Sequence, residues 1–122
     1  YKVAYAVVDE PLLPPEVRFT SSFAYFRWHG KGVRPWYDYR YTQQQLQDWV
    51  PKVKEVRDNT KKTFGVFNNH FHGYAPENCI QSMEMRGIAE EKHRKTVERL
   101  ETHIERELSG LPPAGTLDQY AT

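Results

Sequence analysis

The stretch KVAYAVVDEP, residues 2–11, decides how the rest of the chain is read. Its first seven residues are apolar on both parities and rich in β-branched side chains. That is the pattern of a strand covered on both faces, as strands of parallel sheets are. Asp9, Glu10 and Pro11 end it. The next twelve residues, 11–22, hold three prolines and no helical period, so a loop is expected there. A second strand is expected over FAYFRWH, residues 23–29. Strict alternation places Tyr25, Arg27 and His29 on one of its faces and Phe26 and Trp28 on the other. Gly30 and Gly32 break it.

Thr42, with Gln45 three residues later, forms a capping box that opens a helix carrying Leu46, Trp49, Val50, Val53 and Val56. Pro51 falls inside this pattern and predicts a kink or a late restart. A third strand is expected over 61–69, centred on TFGVFNN. A short helix should start at Pro76 and end near Gly87, and a highly charged helix should run from about Ala89 to Leu108. The order strand, loop, strand, helix, strand, helix, helix predicts an α/β fold with a parallel sheet. Three parallel strands leave two edges and one apolar face bare, so a further segment or a partner chain is expected to complete them.

Composition narrows the function classes. Seventeen Lys and Arg against sixteen Asp and Glu give a net charge of +1. That is no electrostatic footprint for duplex nucleic acid or an anionic membrane, leaving room only for a local basic cluster. The single cysteine, Cys79, has no disulfide partner in the chain, and no apolar run or signal-peptide pattern is present. A cytoplasmic protein is therefore expected. The chain does not begin with Met, and a longer protein, with an earlier segment removed, nicked or encoded elsewhere, is expected.

Two blocks, RWHGKGVRPWYDYRYT (27–42) and FNNHFHGYAPENC (67–79), resemble the YecE-like family, also called domain of unknown function 72. Its members read R-F-H-G-R, then W-Y-D-Y-R-Y-S, then F-N-N-H-x-x-G-x-A-x-x-N-A. Arg27, His29, Gly30, Trp36, Tyr37, Asp38, Tyr39, Arg40 and Tyr41 match the first two motifs. Asn68, Asn69, His70, Gly73, Ala75 and Asn78 match the third, and the resemblance covers roughly residues 1–85. It implies a TIM-type barrel about twice this length, of which the chain would supply the last three strands and their helices. Residues 1–110 would then be the C-terminal half of a barrel and 111–122 a flexible tail. The missing N-terminal half, or a second chain, would be the partner.

In such barrels chemistry sits at the C-terminal ends of the strands. Those ends carry Asp9, then Arg27 and His29, then Asn68, Asn69 and His70. The corresponding expectation is a barrel enzyme acting on a small anionic or phosphate-containing substrate. Arg27, Arg40, Asn68, Asn69 and Tyr39 would bind it, and His29, His70 and Asp9 would move protons. The bland alternatives are an Arg27–Asp9 ion pair inside the barrel, and an Asp38–Arg40 pair that merely fixes the YDYRY loop. A non-enzymatic ligand-binding or assembly module is the rival from another class. A metal-dependent phosphodiesterase or nuclease is a third, with His70 and His72 joined by His29, Asp9 or Glu77 around zinc or manganese. No HExxH or CxxC spacing supports it, so no metal is assigned. No glycine-rich phosphate loop is present, and no cofactor is expected.

Overall fold

The computed structural model describes residues 2–33 and 35–110. Three strands, β1 (Ala6–Asp9), β2 (Phe23–Trp28) and β3 (Lys62–Phe67), form one parallel sheet in the order β1-β2-β3. Helix α1 (Gln43–Asn59) crosses from β2 to β3. A 3-10 turn (Phe71–Gly73) leads into α2 (Tyr74–Met85), and α3 (Glu91–Leu108) packs on α2 and that turn. The chain is thus α/β, with three parallel strands and three α-helices among the described residues. The expected tail, 111–122, lies outside the described residues.

The register sorts side chains onto two faces. Val7 stands opposite Phe26 and Asp9 opposite Trp28, so these four share a face with Ala24. Leu46, Trp49, Val53 and Val56 of α1 cover it and make the core. Rings set much of its geometry. Trp28 stacks on Phe26 at 5.5 Å and on Phe67 at 4.7 Å, and meets Trp49 edge-on at 5.7 Å. Gly65 lies against Trp28, whose ring would come within 3.0 Å of any Cβ placed there.

The other face is bare. Phe23, Tyr25 and Arg27 of β2 stand beside Val8 of β1 and beside Phe64 and Val66 of β3. Phe64 is 47% exposed, and no helix of the described chain crosses this side. Three strands alone leave one face uncovered, as expected: only Val7 and Asp9 of β1 are buried, while Val8 is half-buried and Ala6 exposed. Residues 2–5 are not strand. Thr20 holds them instead, accepting from the Tyr5 N–H at 2.9 Å and donating to the Val3 carbonyl at 2.8 Å.

Helix α1 opens as its sequence demands. Gln45 N–H donates to Thr42 Oγ1 at 3.1 Å and Thr42 N–H donates to Gln45 Oε1 at 3.0 Å, a reciprocal cap that contributes about 1 kcal/mol. Pro51 neither ends nor restarts the helix, which runs through it unbroken to Asn59. Its ring lies on the exposed side, and the core residues on either side of it hold the helix together.

Candidate functional site

The C-terminal ends of the strands lie side by side, and hydrogen bonds extend the ladder one residue past them. His29 N–H donates to the Asp9 carbonyl at 3.0 Å, and Asn68 N–H donates to the Trp28 carbonyl at 2.8 Å. On the bare face, Arg27 Nε donates to Asn68 Oδ1 at 3.2 Å. An amide oxygen carries no charge, and among the described residues no carboxylate pairs with this guanidinium. Beside it stands His29, half-buried. Burial first, and then the Arg27 charge, push the imidazole pKa below the usual 6.5, while Glu10 pulls it partly back. At neutral pH the ring is therefore uncharged, able to accept a proton or a hydrogen bond.

Asp9 does not join this pair. It faces the helices, on the side of the sheet opposite Arg27, and forms its ion pair with Lys31 Nζ at 3.2 Å. The expected Arg27–Asp9 pairing is corrected on that ground, because the register puts Val8, not Asp9, beside Arg27.

Arg40 is committed elsewhere too. Its Nε donates to Glu77 Oε2 at 2.9 Å and its Nη2 to Glu77 Oε1, a two-pronged pair with a carboxylate that is fully buried in α2. The expected Asp38–Arg40 pair is replaced by this one. Asn69, also fully buried, donates to the Tyr39 carbonyl at 2.8 Å and to Asn78 Oδ1 at 2.9 Å. Asn78 in turn pairs with the Tyr41 backbone as a neighbouring strand would: it accepts from the N–H at 3.1 Å and donates to the carbonyl at 3.2 Å. The Tyr39 hydroxyl accepts from Gln45 Nε2 at 2.6 Å. Arg40, Asn69 and Tyr39 thus hold the YDYRY segment to α1 and α2.

Tyr41 carries that order back to β2. Its hydroxyl accepts from the Gly30 N–H at 3.0 Å, one residue after His29. Burial, then the neighbouring Asp9 charge, push its pKa far up, so the phenol stays protonated. Gly30 has φ of +101°, and a Cβ there would sit 2.4 Å from the Trp36 carbonyl oxygen, so only glycine fits. Sequence reasoning missed the Tyr41 and Glu77 roles, since partners 11 and 37 residues away leave no local signal. It also missed Glu10 beside His29, although Glu10 directly follows the strand-ending Asp9.

His70 lies past the end of β3, where two-residue alternation no longer applies. It is exposed, stacks on Tyr37 at 5.6 Å and contacts the Asn68 carbonyl through Nδ1 at 3.1 Å. His72 turns away to Glu107 of α3, which also receives His103 at 3.3 Å. Among the described residues no three His, Cys, Asp or Glu side chains converge as metal ligands would. Cys79 is half-buried, and burial raises its thiol pKa. Nor is any helix among the described residues long and apolar enough to cross a membrane.

A family model described as "Protein of unknown function DUF72" matches residues 1–103. The chain belongs to the DUF72 family. This DUF72 chain is 31% identical over 103 residues to the UPF0759 protein YunF of Bacillus subtilis, a match covering 69% of the chain and 36% of YunF. Two solved structures are similar to it. A DUF72 family protein from Thermotoga maritima has 34% identity and a TM-score of 0.64 over 67% of this chain and 36% of that one. Another, from Enterococcus faecalis, has 27% identity and a TM-score of 0.64 over 69% and 37%. The chain therefore spans little more than a third of the length of the relatives it matches.

Proposed function

We propose that residues 1–110 supply the C-terminal strands of a TIM-type barrel, with 111–122 as its tail, and that the bare face of the sheet is the barrel lumen. The N-terminal half of the barrel, or a second chain carrying equivalent strands, covers that face. At the lumen's C-terminal rim, Arg27 and Asn68 bind the anionic group of a small substrate such as a phosphate ester, and His29 exchanges a proton with it. His70 and Tyr37 form the adjoining rim. Arg40, Asn69 and Tyr39 belong to the frame, and Asp9 pairs with Lys31 on the helix-covered side of the sheet.

The observation that carries this reading is the contrast between two arginines. Arg40 is neutralised by Glu77, whereas Arg27 meets only an amide oxygen among the described residues. A guanidinium inside a closed barrel is costly without an anion, and the neutral imidazole beside it supplies an acid–base group at physiological pH.

Inorganic phosphate added to the assembled protein should raise the His29 pKa, followed by NMR of the ring protons, because a bound anion offsets the Arg27 charge that lowers it. Arg27→Met should abolish the phosphate response and itself raise the His29 pKa in the absence of phosphate. An unchanged His29 titration in both cases would sink the assignment. The second reading, a non-catalytic ligand-binding or assembly module, draws on the short span of the chain and its one bare face. His29→Ala separates the two: lost turnover with phosphate binding retained favours catalysis.

A further inference from the structure

Three tyrosines crowd the YDYRY segment, and the frame uses two of them. The Tyr39 hydroxyl accepts from Gln45 and its ring meets Tyr41 edge-on at 5.1 Å, while the Tyr41 hydroxyl accepts from the Gly30 N–H. Tyr37 has no such post. It is 40% exposed, and its ring lies nearly flat against His70, with centroids 5.6 Å apart and planes at 26°. His70 is backed in turn by Phe71, at 5.1 Å and 27°. Tyr37 and Phe71 make no ring contact with each other, so the imidazole lies between them. Three rings thus stack in a row that ends at Tyr37 in solvent.

Two anchors fix where this row stands. On one side, the Asp38 N–H donates to the Pro35 carbonyl at 3.2 Å, closing the turn that holds Tyr37, and the Gly32 N–H donates to the Trp36 carbonyl at 3.2 Å. That same carbonyl oxygen presses on Gly30, immediately after His29. Tyr37 is thereby clamped to the strand end that carries Arg27 and His29. On the other side, His70 Nδ1 contacts the Asn68 carbonyl, and the side chain of the same asparagine accepts from Arg27 Nε. One residue, Asn68, therefore joins the row of rings to the guanidinium.

That juxtaposition selects a ligand class. A guanidinium and an amide hold an anionic oxygen, and an exposed aromatic face beside them takes a flat ring. Stacking tolerates many rings, because every heteroaromatic base has a π-face. A net charge of +1 gives no field to track a polymer of phosphates, so the fit is to one small ester and not to a nucleic acid strand.

We propose that the substrate held by Arg27 and Asn68 is a phosphate ester carrying a flat aromatic ring, as a nucleoside monophosphate does, and that Tyr37 stacks on that ring. The inference rests on the anion site at Arg27. Tyr37 is the specificity-determining residue, and His70 with Phe71 holds its ring in place before the ligand arrives, so binding has little left to order.

The test titrates the assembled protein with adenosine monophosphate, ribose 5-phosphate and adenosine, following the Tyr37 and His70 ring protons by NMR. Adenosine monophosphate should give saturable ring-current shifts there and bind about tenfold tighter than ribose 5-phosphate, as the stacking of one base contributes. Tyr37→Leu should abolish that difference and leave the ribose 5-phosphate affinity unchanged, while Tyr37→Trp should preserve it. Arg27→Met should weaken both phosphates. Equal affinity for the two phosphates, or a preference that survives Tyr37→Leu, overturns the inference and leaves the anion site standing. If ribose 5-phosphate does not bind and Arg27→Met has no effect, the anion site has failed. The stack then stands where adenosine alone gives Tyr37-dependent shifts, and falls where it does not.

Discussion

Arg40→Met is expected to lower the free energy of unfolding by about 3 kcal/mol, read as a lower urea midpoint with an unchanged m value. Glu77 is fully buried, and Arg40 supplies both of its short hydrogen bonds; among the described residues Gln81 Nε2, at 3.5 Å, is the only other donor to it. Removing the guanidinium strands a carboxylate inside α2. The figure sits at the low end of the range for broken buried pairs because the Arg40 side chain is 35% exposed, so water reaches one end of the gap. Replacing both partners, Arg40→Met with Glu77→Met, should recover most of the loss, since no buried charge then remains. If the single substitution costs less than about 1 kcal/mol, the pair is only a surface ion pair and the frame around Tyr41 is held by Asn78 alone.

Trp28→Ala should cost about 3–5 kcal/mol, the largest effect of any single truncation in the sheet. Trp28 is 3% exposed, stacks on Phe26 and Phe67 and meets Trp49 edge-on, so its removal opens a cavity against rings that cannot collapse into it. A loss of that size is a large share of the stability of a domain this small. Where Trp28→Ala fails to fold, Trp28→Phe keeps the measurement possible and should cost about 1–2 kcal/mol. Trp49 fluorescence reports both transitions. A cost below about 1 kcal/mol for Trp28→Ala would mean that the helix face of β2 is not the core.

Both effects bear on how much of the molecule could be read from its residues. Alternation in FAYFRWH placed Phe26 and Trp28 on one face and Arg27 on the other, and the register agrees, because period-two patterning depends only on local backbone geometry. The Thr42–Gln45 cap was legible for the same reason. Hydrophobic composition marks 2–8 as strand, but pairing with β2 begins only at Ala6, and Thr20 takes the preceding backbone. The site divides along similar lines. Neighbours on one strand end, such as Arg27 and His29, could be grouped from spacing. The partners of Arg40 and Asp9 could not, since Glu77 and Lys31 reach them through tertiary packing. The side that Asp9 takes is not legible either, because the parity of one strand says nothing about its phase relative to the next until the register is known.

The chain spans little more than a third of the relatives it matches, and its sheet has one bare face. Phe23 and Phe64 are exposed and Tyr25 is half-buried beside an Arg27 that meets no carboxylate among the described residues, a surface that parallel sheets do not leave open to water. The most direct test is the solution mass of the protein purified natively from its source, by light scattering, with the polypeptides present identified by mass spectrometry. The account predicts a particle near the size of a full-length relative, in which this sequence is joined to the remaining strands covalently or as a complex. A folded monomer of 14.4 kDa, with Phe23 and Phe64 accessible to solvent probes, would contradict it.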